Sequence, residues 1–68
     1  MMTAKEYVLD KIGSYKRLAK RCKREAVASD DIVARAECFA RARVWEMCAE
    51  EMDTVRELLE EEEDVTYG

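Results

Sequence analysis

The stretch from Ile32 to Leu59 constrains the fold of this chain more than any other feature. It contains neither Gly nor Pro, and alanines and long straight-chain residues, which favour helices, fill much of it. Its larger apolar residues follow two helical series. The first series is Ala36, Ala40, Val44 and Met47, and the second is Trp45, Cys48, Met52, Val55 and Leu59. Because the two series lie on adjoining faces, we expect one long helix that contacts more than one neighbouring helix.

The composition favours an all-α chain that needs help to stay folded. The 68 residues include no Pro and two Gly, and 41% of them are charged. A chain of this length forms one small domain of marginal stability, and such scaffolds usually depend on disulfides, a metal or oligomerisation. The question is therefore which of these three devices the sequence provides.

The cysteines do not point to a disulfide or a metal. Cys22, Cys38 and Cys48 are odd in number and form no CxxC pair, and the chain has no His. We predict no metal and no cofactor, and interpret the cysteines as small buried hydrophobes in a reducing compartment. A reactive thiol at Cys22, between Arg21 and Lys23, is the alternative.

With no His and no phosphate-cradling Gly-rich loop, we predict no catalytic site and no enzymatic activity. Because a disulfide and a metal are not indicated, oligomerisation remains as the means of stabilising the fold.

The first helix is predicted from about residue 3 to about residue 28. Thr3 and Glu6 have the spacing of a capping box, in which each side chain accepts a hydrogen bond from the other residue's backbone N–H. Gly13 marks either a close helix–helix approach, a kink or a tolerated glycine. The apolar seam of this helix is Val8, Ile12, Tyr15, Ala19, Cys22 and Ala26, in steps of 4 and 3.

A turn is predicted within Val27 to Asp31, with Ser29 or Asp30 capping a second helix from about residue 31 to 60. The alternative is one continuous helix, but the first seam does not continue in phase beyond Ser29. We therefore expect an antiparallel two-helix hairpin over residues 1–60. The acidic residues 61–68 are predicted to form a mobile tail, because the helix dipole disfavours negative charge at a C-terminal end.

The charges are segregated along this hairpin. The half nearest the turn, residues 11–43, has ten basic against four acidic residues, a net of +6, whereas residues 1–10 with 44–68 have two against twelve, a net of −10. An antiparallel second copy would place opposite charges together, so we predict self-association into a four-helix bundle or a higher helical assembly. The expected self-association residues are Trp45, Cys48, Met52 and Val55, with Phe39, Val44 and Met47 facing the chain's own first helix.

A basic cluster is the candidate anion-binding site, for nucleic acid, nucleotide phosphate or an acidic partner. The alternative is a solvated face beside the seam. The cluster consists of Lys16, Arg17, Lys20, Arg21, Lys23 and Arg24.

The opening residues, Thr3 to Tyr7, resemble the start of small uncharacterised helical proteins encoded by phages and mobile elements of Gram-positive bacteria. That resemblance implies a short accessory gene, with host-defence inhibitors as one class.

We expect a cytoplasmic protein without a membrane span or a signal peptide. The leading hypothesis is a non-enzymatic helical interaction module whose partner is itself. The alternative is a phage-type inhibitor or sequestering protein that binds a host protein, nucleic acid or nucleotide through its charged ends.

Overall fold

The chain folds into two long helices joined by a short turn. The computed structural model describes residues 2–67, with side chains as far as Glu62. Helix α1 spans Ala4–Ala28 and helix α2 spans Ile32–Tyr67. The two helices pack against each other as an antiparallel hairpin that measures 56 × 21 × 11 Å. The predicted all-α hairpin is confirmed, and its turn lies within the predicted range.

The start of α1 is fixed by the predicted cap. The backbone N–H of Glu6 donates to Thr3 Oγ1 at 3.1 Å, and the N–H of Tyr7 donates to the Thr3 carbonyl at 3.0 Å. The second half of the capping box differs from the prediction. The Thr3 hydroxyl, rather than its backbone N–H, donates to Glu6 Oε1 at 3.2 Å. Only the Thr3 half of the box therefore satisfies a backbone donor of the first turn, the N–H of Glu6.

The turn uses a different cap from the two predicted. Asp31 caps α2, because the N–H of Val33 donates to its Oδ1 at 3.2 Å. Ser29 instead stabilises the turn itself, where its Oγ accepts the N–H of Asp31 at 3.3 Å. The prediction that Ser29 or Asp30 caps α2 was therefore wrong, since Ser29 is bonded within the turn.

Arg35 ties the first turn of α2 back to the end of α1. Its Nε donates to the Ala26 carbonyl at 3.2 Å and its Nη2 donates to the Ser29 carbonyl at 3.0 Å. These oxygens lie at or just beyond the C-terminal end of α1, where positive charge is favourable, and the Ala26 carbonyl also accepts the backbone N–H of Ser29 at 3.3 Å. One side chain thus donates to two carbonyls and links the start of α2 to the end of α1.

The interface between the helices is narrow and built from small residues. Ala19 and Ala26 of the predicted α1 seam are buried together with Val8 and Ile12, which confirms that seam. Helix α2 contributes Ala42 and Ala49, which neither predicted series contained. Their spacing of seven residues keeps them on one face with Trp45 between them. No side chain in the described part of the chain combines a large volume with complete burial.

The prediction of which face of α2 packs against α1 was wrong. Phe39, Val44 and Met47 are about half exposed rather than buried against α1. Trp45 contacts α1 instead, since its ring stacks on Tyr15 with centroids 5.7 Å apart and planes 18° from parallel. The reason is steric, because Ala42 and Ala49 let the two helix backbones approach closely, whereas Phe39, Val44 and Met47 are turned outward.

Helix α2 continues past its predicted end at about residue 60. It has 36 residues against 25 in α1, so its acidic end extends beyond the start of α1, where Lys5 contacts Glu60 at 3.4 Å. Glutamate is a good helix former, and Arg56 bonds Glu60 one turn later at 3.0 Å. The mobility of residues 61–68 stays a prediction, and the side chains from 63 onward lie outside the described residues.

Candidate functional surfaces

One side of the hairpin, the ionic flank, is lined by cross-helix ion pairs. Lys23 Nζ lies 2.7 Å from Glu46 Oε1, and this hydrogen bond lowers the pKa of the Glu46 carboxyl. Nearer the open end Lys5 pairs with Glu60. Lys16 lines a groove on this side together with Asp53. The ionic flank consists of Lys5, Lys16, Lys23, Glu46, Asp53 and Glu60.

Arg56 organises the acidic end of this flank. Its Nε donates to Asp53 Oδ1 at 2.8 Å and its Nη1 to Glu60 Oε2 at 3.0 Å, while Nη2 lies 3.9 Å from Glu57. Its hydrogen bonds to Asp53 and Glu60 raise the pKa of the guanidinium. The same bonds lower the pKa of both carboxyls. The only cation among the described residues of α2 beyond Arg43 thus offsets part of the local negative charge.

The opposite side is apolar. Cys48 follows Trp45 by three residues, whereas Glu46 follows it by one, so the two lie on opposite sides of Trp45 around the helix. On α1 the same spacing separates Leu18 from Lys16 about Tyr15. We call this side the apolar flank. It consists of Leu18, Trp45, Cys48 and Met52, which are half-buried, and Val55, which is 40% exposed.

The apolar flank therefore contains all four residues predicted to mediate self-association, and it places them next to one another along α2. Trp45 has a contact within the chain through Tyr15, so only part of its ring faces outward. Whether this flank meets a second copy stays a prediction.

A second apolar surface, the outer stripe, follows the face of α2 that points away from α1. It repeats every 11 residues, a period that stays on one face because it is close to three helical turns. Five of its members are between 40% and 64% exposed, and Ala36 is also exposed. The stripe consists of Val33, Val44 and Val55 with Ala36, Met47 and Leu58. The first predicted series caught part of it, and the 11-residue repeat was the signal that sequence reasoning missed.

The basic cluster is divided between two surfaces. Arg17, Lys20, Arg21 and Arg24 are exposed on the outer side of α1 around a shallow depression, which we call the basic face. Lys16 and Lys23 lie instead on the ionic flank among carboxylates. Four of the six candidate anion-binding residues are thus brought together. Their own partners are few: Arg17 bonds Ser14 Oγ at 3.2 Å and Arg21 lies 3.4 Å from Glu25.

Cys22, Cys38 and Cys48 are free thiols, half-buried rather than buried as predicted. Within the described residues, no three His, Cys, Asp or Glu side chains converge as metal ligands would. Neither helix, over its described length, has an apolar stretch long enough to cross a membrane.

These surfaces define the chain as an antiparallel helical hairpin with an ionic flank, an apolar flank, a basic face and an outer apolar stripe. No family model, curated protein or solved structure gives a significant match to it.

Proposed function

We propose that this chain is a non-enzymatic interaction module that self-associates. The observation that carries the proposal is that the hydrophobic core contains few large side chains. The buried hydrophobic residues are four alanines with Val8 and Ile12, while eleven large apolar side chains among the described residues are 40% or more exposed. Burial stabilises a fold roughly in proportion to the apolar area removed from water, so an isolated hairpin gains little stability from its core. A partner that covers the exposed apolar side chains would add to that stability.

Charge supports a second copy as that partner. The turn half of the hairpin has a net charge of +6 and the open half −10. A two-fold axis across the hairpin would place each half beside the oppositely charged half of the other chain, and would make every such contact twice. A partner of uniform charge would attract one half of the hairpin and repel the other.

The mass in solution tests the proposal. Sedimentation equilibrium across micromolar concentrations should give a species of at least twice the 7.9 kDa chain mass, dissociating on dilution. A folded 7.9 kDa monomer at tens of micromolar, with helical circular dichroism, would refute it.

A second candidate function is favoured by the basic face. Four exposed cations on one side of α1 would suit a phosphate-rich or acidic ligand, as in a phage-type inhibitor or sequestering protein that occupies nucleic acid, a nucleotide or a host protein. The test is salt-dependent retention of single-stranded DNA, RNA or polyphosphate. Arg17→Glu with Arg21→Glu should abolish retention, while Lys5→Glu, distant on the ionic flank, should not. Equal retention by both variants would remove this candidate.

A further inference from the structure

We propose that the outer stripe of α2 is the contact surface for the same stripe of a second copy, running antiparallel, with Val44 and Met47 at the two-fold centre. This inference rests on the proposed self-association and specifies its surface, direction and register. It shares only Val55 with the sequence-based expectation, which otherwise places the contact at Trp45, Cys48 and Met52.

The apolar residues of the stripe match one another in a single antiparallel register. When Val44 lies opposite the partner's Met47, the constant offset of an antiparallel pair sets Val33 opposite the partner's Leu58. The same offset sets Ala36 opposite the partner's Val55. Each pair joins a smaller side chain to a larger one, which suits close packing between helices. The same face on α1 would not do this, because the basic face occupies it.

The charge of α2 selects the antiparallel direction. Residues 32–43 have three Arg and one Glu, a net of +2, whereas residues 44–67 have ten acidic residues and Arg56, a net of −9. A parallel pair would bring the two strongly acidic halves together along their length. An antiparallel pair brings each acidic half towards the other chain's arginines, and it also opposes the two helix dipoles favourably.

Two arginines beside the stripe are placed to make cross-chain ion pairs. In the proposed register Arg43 comes near the partner's Glu50, and Arg41 comes near the partner's Glu51. Among the described residues these arginines have only long ion pairs, 3.9 Å from Arg43 to Glu46 and 4.0 Å from Arg41 to Glu37. Glu50 and Glu51 form no ion pair with any other described residue.

Glu51 is the one acidic residue that interrupts the 11-residue pattern between Met47 and Val55, and it is exposed. In the proposed register it faces the partner's Ala40. That small side chain leaves room for the Glu51 carboxylate to turn towards the guanidinium of the partner's Arg41. The acidic residue in the stripe would therefore help to set the register of the two chains.

A charge-swap experiment tests the register. One variant combines Arg41→Glu with Arg43→Glu, and the other combines Glu50→Arg with Glu51→Arg. In each homodimer all four cross-chain pairs become repulsive, so self-association should weaken about tenfold or more. An equimolar mixture restores opposite charges at every pair and should recover the wild-type association constant. Circular dichroism of each variant checks that the helices remain.

The outcomes separate the inference from the proposed function. Swap variants that associate as tightly as wild type, or a mixture that fails to recover association, would overturn the outer-stripe register while leaving self-association through the apolar flank. Met47→Asp should likewise weaken association at least tenfold, since Met47 is exposed and away from α1. A wild-type chain that is monomeric at tens of micromolar would remove the proposed function and this inference together.

Discussion

Arg35 is the residue on which the turn depends, because one guanidinium serves two carbonyls at the end of α1. Arg35→Ala should lower the free energy of unfolding by about 1–2 kcal/mol, since it leaves both acceptors without their charged donor. Urea denaturation followed by circular dichroism measures this. Arg41→Ala is the matched control, because its only ion pair with another described residue is 4.0 Å long, and it should change stability far less under monomeric conditions. Equal losses in both variants would contradict the assigned role of Arg35.

Three carboxyls make folding sensitive to acid. Hydrogen bonds from Lys23 to Glu46, and from Arg56 to Asp53 and Glu60, hold their pKa values below the ordinary ones. A lowered folded-state pKa stabilises the fold above the unfolded value, and that stabilisation is lost as pH falls through the folded value. These pairs should therefore weaken as the pH drops below about 4.

Relief of repulsion among the other acidic residues acts in the opposite direction, so a single variant isolates the effect. Glu46→Gln should reduce the loss of thermal midpoint between about pH 5 and pH 3 relative to wild type. Asp10→Asn is the control, because Asp10 has no ion pair with another described residue. If both variants change the pH dependence equally, the Lys23–Glu46 pair is not its source.

At the scale of the elements, α1 contains a glycine that the fold does not need. Gly13 has an ordinary helical backbone, and a methyl group added there would meet only the flexible end of Arg17, at 3.4 Å. It marks neither a close approach to α2 nor a conformation that requires glycine. Gly13→Ala should therefore stabilise the chain by about 0.5–1 kcal/mol in urea denaturation. A destabilised variant would show that the helix must bend at this point.

The far end of α2 extends beyond α1, so it should contribute little to the hairpin. Deleting residues 61–68 leaves the Lys5–Glu60 and Arg56–Glu60 pairs in place and removes negative charge from a helix C-terminus. The thermal midpoint should stay nearly unchanged or rise. A loss of several degrees would indicate that this segment contacts the rest of the protein.

At the scale of the whole molecule, Trp45 connects folding with assembly. Trp45→Ala removes a half-buried ring stacked on Tyr15, so it should destabilise the hairpin by about 2–4 kcal/mol, less than a fully buried tryptophan would. Because Trp45 lies outside the outer stripe, its loss should shift the mass towards monomer only through this destabilisation of the hairpin that presents the stripe. Trp45→Phe keeps an aromatic ring and should retain most of the assembly, and a sedimentation profile of Trp45→Ala identical to wild type would contradict the prediction.

Salt tests the balance between apolar and ionic contacts in the assembly. Exposed ion pairs are worth about 0–1 kcal/mol each and are screened by salt, whereas apolar burial is not. Raising the salt concentration should therefore weaken association modestly, while loss of an apolar anchor should weaken it severely. Complete dissociation in high salt would show that charge, and not apolar contact, holds the copies together.

Much of the hairpin was predictable because its signals are local. The Thr3 cap, the 4–3 seam of α1 and the helix-breaking turn near Ser29 each depend on residues a few positions apart. The candidate surfaces were predicted in part. The four proposed self-association residues share one flank, but the six basic residues divide between two surfaces, because Lys23 pairs with a carboxylate that lies far away in sequence.

The sequence by itself determined that the chain forms two amphipathic helices, where they turn, and which face of α1 is buried. Only the tertiary structure decided which face of α2 meets α1. Two adjoining faces of α2 are apolar, so hydrophobicity does not distinguish them. Close approach of two backbones does, because Ala42 and Ala49 fit opposite the α1 seam and Phe39, Val44 and Met47 do not. That steric choice turns Val44 and Met47 outward, onto the surface through which we propose that the chain recognises itself.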